Sequence, residues 1–173
     1  MPLFMIGFIA LAAALRFAAL AVSIRNETRL RREGAVEYGA GTSTALALVH
    51  IVFYLAAIAE GLWRAAPVSA VTFIGIALYA LSMIALAWVL RTLGRFWTVK
   101  IIIARDHELV TNRFFRLVRH PNYYLNIIPE LIGFALALQA YGTLIAGLPV
   151  YLVILCRRIR QEEEALRGRF QAY

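Results

Sequence analysis

This sequence predicts an all-α polytopic membrane protein with about five transmembrane helices, and three observations carry that prediction. Hydrophobic residues make up 62% of the 173 and charged residues only 16%, with a mean hydropathy of +0.72, whereas apolar residues make up roughly half of a soluble domain. Five apolar stretches, at residues 3–24, 44–63, 68–90, 125–140 and 143–157, divide the chain. The basic residues gather in the segments after the first, third and fifth of them.

Residues 3–24 are long enough to cross a hydrocarbon core and lead into a polar segment without a cleavage pattern of small residues, so they read as a retained helix. Residues 44–63 and 68–90 follow, joined by Arg64-Ala65-Ala66-Pro67, a connection short enough for a tight antiparallel hairpin. After a polar interval the chain is apolar again over 125–140, breaks at Tyr141-Gly142, and stays apolar to 157. Each of these two halves is short for a full span, which suits tilted helices or helices beside a cavity. The whole of 1–173 therefore reads as one membrane-embedded domain.

Charge orients it. Arg25, Arg29, Arg31 and Arg32 follow the first stretch, and Arg91, Arg95, Lys100, Arg105, Arg113, Arg116 and Arg119 follow the third. Arg157, Arg158, Arg160, Arg167 and Arg169 follow the fifth. With five spans these sixteen of the 18 basic residues share one face, which is then cytosolic and leaves the N-terminus outside. Only Arg64 falls opposite, and Arg16 lies within the first stretch. The net charge of +8 thus reads as anchoring beside anionic lipid and not as nucleic-acid binding. Trp63, Trp88 and Trp97 lie near span ends, where indole rings settle at the interface. Cys156 is the single cysteine, so no disulfide or thiolate-metal framework exists; zinc-type histidine spacing, a P-loop and a dinucleotide glycine fingerprint are also missing.

The residues that can carry chemistry fall in three places. Residues 91–124 form the longest polar interval, with HELVTN from His107 and RFFRLVRHPNYY from Arg113. That mixture of cations and aromatics suits a ligand with an aromatic base and an anionic group; as a juxtamembrane loop it suits lipid head groups equally. In RRIRQEEEAL, from Arg157, the spacing puts Arg158 and Glu162 on one helix face, as it does Ile159 and Glu163. Such pairs are commonly weak surface pairs. Glu130 is an acid inside an apolar stretch, which by default faces the protein interior or a cavity. It can hydrogen-bond a substrate, accept a proton or pair with Arg16. Glu60 reads as interfacial and His50 as a packed, hydrogen-bonded histidine.

HELVTN at 107–112, VRHPNYY at 118–124 and RIRQEEEAL at 158–166, in this order and spacing, make the sequence resemble the isoprenylcysteine carboxyl methyltransferase family of integral membrane methyltransferases. It departs from that pattern at Arg113-Phe114-Phe115, where the family often has Gly-Pro-Tyr. SIRNETRLRREGAVEYG at 23–39, Asn122-Tyr123 and Glu130 further resemble a bacterial branch that O-methylates alkylpyrones or phenolic lipids made by type III polyketide synthases. The resemblance implies a bacterial inner membrane, S-adenosylmethionine as cofactor and a lipophilic small-molecule acceptor. It implies a cytosolic cofactor pocket formed by 91–124 and the C-terminal helix, built from His107, Leu109, Val110, Arg119, His120, Pro121 and Tyr123. Arg158 and Glu162 would then stand where cofactor meets acceptor, Arg158 placing an anionic acceptor oxygen and Glu162 holding the guanidinium. Glu130 and Asn126 are the further candidates for acceptor contact, and Glu162 or Glu130 for a base if the acceptor is a neutral phenol.

Other readings stay open on the sequence alone. A prenylcysteine carboxylate is an equally apolar-tailed acceptor. NADPH-dependent membrane sterol or enone reductases resemble the same Arg119-His120-Pro121-Asn122-Tyr123 motif, although the RIRQEEEAL tail and the small plan favour the methyltransferase. A non-enzymatic lipid-binding protein would bind neither cofactor.

Overall fold

The structure, a computed structural model, describes residues 2–103 and 120–167. The chain forms α1 (Leu3–Arg32), β1 (Val36–Tyr38), α2 (Ala40–Arg64), α3 (Ala70–Leu93), a 3-10 turn (Gly94–Phe96) and β2 (Ile101–Ile103). A π-helical turn (Asn122–Ile127) then runs into α4 (Ile128–Ala137), and α5 (Tyr141–Arg167) ends the described chain. Among the described residues, four helices are long and apolar enough to cross a membrane: Leu3–Arg32, Ala40–Arg64, Ala70–Phe96 and Tyr141–Ala165. Their outward faces carry large apolar side chains, among them Phe17, Ile84, Ile145 and Val153. A bilayer, not water, is the solvent for such faces. This is an integral membrane protein built almost entirely of helices.

The fourth apolar stretch differs from the span expected over 125–140. Its α-helical part has only 10 residues, and it lies inside the protein, with Leu131, Phe134 and Ala135 fully buried. An apolar helix covered on all sides needs neither a polar face nor the full bilayer thickness. Its main neighbour is α3, and glycine makes the approach possible. A Cβ on Gly75 would lie 2.2 Å from the backbone nitrogen of Ala137, and one on Gly133 would lie 2.6 Å from that of Tyr79. Close small-residue crossings of this kind drive helix association where no hydrophobic effect operates between helices.

The tight α2–α3 hairpin expected from the short connection is not a packed pair. α3 packs chiefly on α4, and α2 chiefly on α5. The chain break also lies before Tyr141-Gly142, at residues 138–140, with Gln139 in the left-handed region. Gly142 and Thr143 already belong to the first turn of α5, because Glu60 of α2 caps it. Their amides donate to the Glu60 carboxylate at 2.8 and 2.6 Å. A carboxylate at a helix N-terminus satisfies amides left without intrahelical acceptors.

α1 runs two turns beyond the apolar run that ends at Ile24, so the arginines 25–32 are helical. β1 and β2, which periodicity did not reveal, pair antiparallel with Glu37 opposite Ile102. This ribbon ties the chain after α1 to the chain after α3. Lys100 donates to Glu27 at 2.7 Å across the same junction. The C-terminal ends of α1, α3 and α5 therefore meet the N-terminal ends of α2 and the π turn at one end of the bundle, where the described basic residues of the three segments converge. Trp63 and Trp88 are exposed, but Trp97 is buried against Ala19, Leu86 and Val89.

Candidate active site

Two polar layers cross the seam between α2, α5 and the helix that begins at Pro121. The outer layer lies at the basic end. Pro121 takes helical backbone angles at the start of this helix, where its missing N–H costs nothing. The wide π turn that follows aims Tyr123 at α5. The Tyr123 hydroxyl donates to Glu162 at 2.6 Å and accepts from Nε of Arg158 at 3.3 Å. Arg158 also donates to the Ser43 hydroxyl and, at 2.6 Å, to the carbonyl of Val99. Only 2% of it is exposed.

The i, i+4 spacing does put Arg158 and Glu162 on one face, yet the link between them runs through the tyrosine hydroxyl instead of a direct pair. Among the described residues, all the partners of Arg158 are neutral oxygens. A buried guanidinium whose partners are neutral favours an anion beside it. Burial, reinforced by the Glu162 carboxylate, raises the Tyr123 phenol well above the ordinary tyrosine range. It therefore stays a neutral bridge between cation and carboxylate.

His120 is buried next to this unit. Its Nε2 lies 3.3 Å from Glu163 and its Nδ1 4.0 Å from Glu162, and its ring stacks on Tyr123 with centroids 5.6 Å apart. Glu162 and Glu163 are about a quarter exposed. This corner thus presents two carboxylates and two aromatic faces. His107, Leu109, Val110 and Arg119 lie outside the described residues.

The inner layer lies two helical turns deeper on the same three helices. His50 stands seven residues after Ser43, Tyr151 seven before Arg158, and Glu130 seven after Tyr123. Glu130 is fully buried and pairs with Arg16 of α1, while Tyr54 donates to the same carboxylate. His50 Nε2 lies 3.5 Å from it, and His50 Nδ1 meets the Tyr151 hydroxyl at 3.3 Å. Asn126 donates to the Ser82 carbonyl at 3.1 Å. Buried Leu46, Ile127 and Leu155, midway on the three helices, separate the layers. Glu130 and Asn126 are thus brought together with Arg16, not with Arg158 and Glu162. Of the alternatives open for Glu130, the geometry places it as the partner of Arg16.

Sequence reasoning missed Ser43, Tyr54, Tyr151 and the Val99 carbonyl. The seven-residue spacing from Ser43 to His50, and the i+4 spacing from His50 to Tyr54, were the available signals for two of them.

Comparison with known proteins bears on the same region. The model of the isoprenylcysteine carboxyl methyltransferase (ICMT) family matches residues 73–168, more than half the chain, from α3 through α5. An uncharacterised protein of Haemophilus influenzae is 45% identical over 157 residues, covering 91% of each chain. The uncharacterised protein YpbQ of Bacillus subtilis is 35% identical over 160 residues, covering 92% of this chain and 94% of its own. No solved structure matches. The matched stretch holds both His120 with its π turn and the Arg158, Tyr123 and Glu162 unit, and on this evidence the chain belongs to the ICMT family of membrane methyltransferases.

Proposed function

We propose that this protein is an S-adenosylmethionine-dependent O-methyltransferase whose acceptor is a lipophilic oxygen nucleophile, an alkylpyrone or related polyketide lipid. One observation carries the reading: a buried Arg158 held by neutral oxygens and joined through Tyr123 to Glu162, beside His120 and Glu163. The corner fits a sulfonium cofactor, because carboxylates and aromatic faces are the groups that favour a cation without a protonatable site. When bound, S-adenosylmethionine would supply an activated methyl group that passes in line to an acceptor oxygen, the bond to its sulfonium sulfur breaking so that S-adenosylhomocysteine leaves.

The protein's own residues then have distinct tasks. His120 and Tyr123 hold the cofactor side, with Pro121 fixing the entry to their turn. Arg158 orients an ionised carboxylate or acidic enol and lowers the cost of bringing that anion out of water. Glu162 keeps Tyr123 in place and, for a neutral phenol, accepts its proton. Glu130 is a poorer candidate for that base, lying two turns deeper and already engaged by Arg16 and Tyr54. Arg113-Phe114-Phe115, where the family often has Gly-Pro-Tyr, bears on which acceptor fits.

Calorimetry on the detergent-solubilised protein tests the cofactor. S-adenosylhomocysteine should bind saturably and NADPH should not, and His120→Ala should weaken the former at least tenfold with the protein still folded. Saturable NADPH binding would instead support the reductase reading, and no binding of either the non-enzymatic one. Labelled S-adenosylmethionine should methylate an alkylpyrone faster than a prenylcysteine; the reverse order would move the acceptor to the carboxylate class.

The basic end of the bundle is the cytosolic end in this reading, since a water-soluble cofactor must reach His120 from there. After Cys156→Ala, a cysteine at position 33 in oriented bacterial inner-membrane vesicles should label only from the cytosolic side. Labelling only from the opposite side would reverse the orientation.

A further inference from the structure

Away from both polar layers, an open groove of about 770 Å³ lies between the last turns of α1 and the 3-10 turn after α3. Arg25, Arg29, Arg32 and Arg95 line it with Glu33, and Val22 lies at its apolar edge. We infer that this groove binds the phosphate headgroup of an anionic phospholipid.

The sequence sets the stripe. Arg25, Arg29 and Arg32 stand at i, i+4 and i+7, one face of α1. Asn26 sets the opposite wall by donating to the carbonyls of Gly94 and Trp97 at 3.0 and 2.8 Å, which pins the turn that carries Arg95. The Glu33 carboxylate bridges the two walls, one oxygen 3.1 Å from Arg29 and the other 3.3 Å from Arg95. An oxyanion therefore already fits between these guanidiniums, supplied by an exposed side chain that can swing away. Arg25 and Arg32 have no hydrogen bond or ion pair among the described residues. One carboxylate against four guanidiniums leaves a strongly cationic groove.

The groove differs from the neighbouring face of α1. Arg31 is paired with Glu27 and Glu37, and Lys100 with Glu27, so those cations are already matched by acids. Arg25 and Arg32, which have no such acid, line the groove. Their depth suits a lipid and not only a free anion. Residues 3–24 rise about 33 Å at 1.5 Å per residue, just past a hydrocarbon core of about 30 Å. Arg25 to Arg32 then lie at headgroup level, with Val22 at the acyl boundary. Guanidinium forks match phosphate oxygens bidentately, which favours arginine at such a site.

Native mass spectrometry of the full chain tests this with three probes: dioleoylphosphatidylglycerol, dioleoylphosphatidylcholine and inorganic phosphate. Phosphatidylglycerol should bind one site at least tenfold tighter than phosphatidylcholine. Arg25→Gln with Arg32→Gln should remove that preference, while Arg91→Gln with Arg157→Gln, the same loss of charge at the same end, should keep it. Glu33→Gln should tighten binding severalfold, a gain that misfolding does not produce. Equal loss in both double variants, weaker binding in Glu33→Gln, or displacement of the lipid by equimolar inorganic phosphate would overturn the inference.

Discussion

Replacing Arg158 by lysine lowers turnover on the accepted substrate by at least about a hundredfold, nearly 3 kcal/mol of transition-state stabilisation, with the protein still folded. Lysine keeps the charge but has one nitrogen where arginine has three, and each of the three has a separate partner: Nε the Tyr123 hydroxyl, the other two Ser43 and Val99. No single ammonium reaches all of them and an acceptor oxygen. Glu162→Gln should cost a similar factor, since it removes the charge that Tyr123 joins to Arg158. Tyr123 couples the two side chains, so the double variant should be scarcely worse than the worse single one. A pair serving only a solvated helix is worth a few tenths of a kcal/mol and predicts near-normal turnover for all three. Methyl transfer from labelled S-adenosylmethionine at saturating cofactor decides between them. Two independent, multiplying losses would mean that the residues do not act as a unit.

Glu130→Leu should be the most destabilising substitution in the inner layer, lowering stability by about 3–5 kcal/mol, because it strands Arg16 as an unpaired cation within the membrane. At 1.5 Å per residue Arg16 lies roughly 20 Å past Leu3, far from either headgroup layer. The second substitution Arg16→Met should recover most of the loss, since replacing both charges removes the stranded ion. Recovery should be incomplete, because Tyr54 would lack its acceptor. Thermal unfolding in detergent for the singles and the double measures this. If the inner layer is scaffold, the rescued double variant binds S-adenosylhomocysteine as the unsubstituted protein does. Additive destabilisation would show that Arg16 and Glu130 do not stabilise the fold as a pair, and lost cofactor affinity in a folded double variant would tie Glu130 to the outer site.

Legible in the sequence are the membrane class, the starts of the long helices to within a few residues, the gathering of positive charge at one end, and the shared face of Arg158 and Glu162. All of these depend on local quantities: hydropathy over about twenty residues, the count of Lys and Arg between apolar runs, and the 3.6-residue period of a single helix. The tertiary structure alone decided which helix is buried, which acid meets which base, and what joins Arg158 to Glu162. Hydropathy does not distinguish α4, enclosed by protein, from a helix enclosed by lipid, because both environments are apolar. Glu130 meets Arg16 114 residues away, and Gly75 and Gly133 let α3 and α4 approach closely; both are products of the packed bundle. Glu60 capping α5 from α2, and three residues of β1 meeting three of β2, depend likewise on helix register and rotation, which are properties of the packed bundle and not of any one segment.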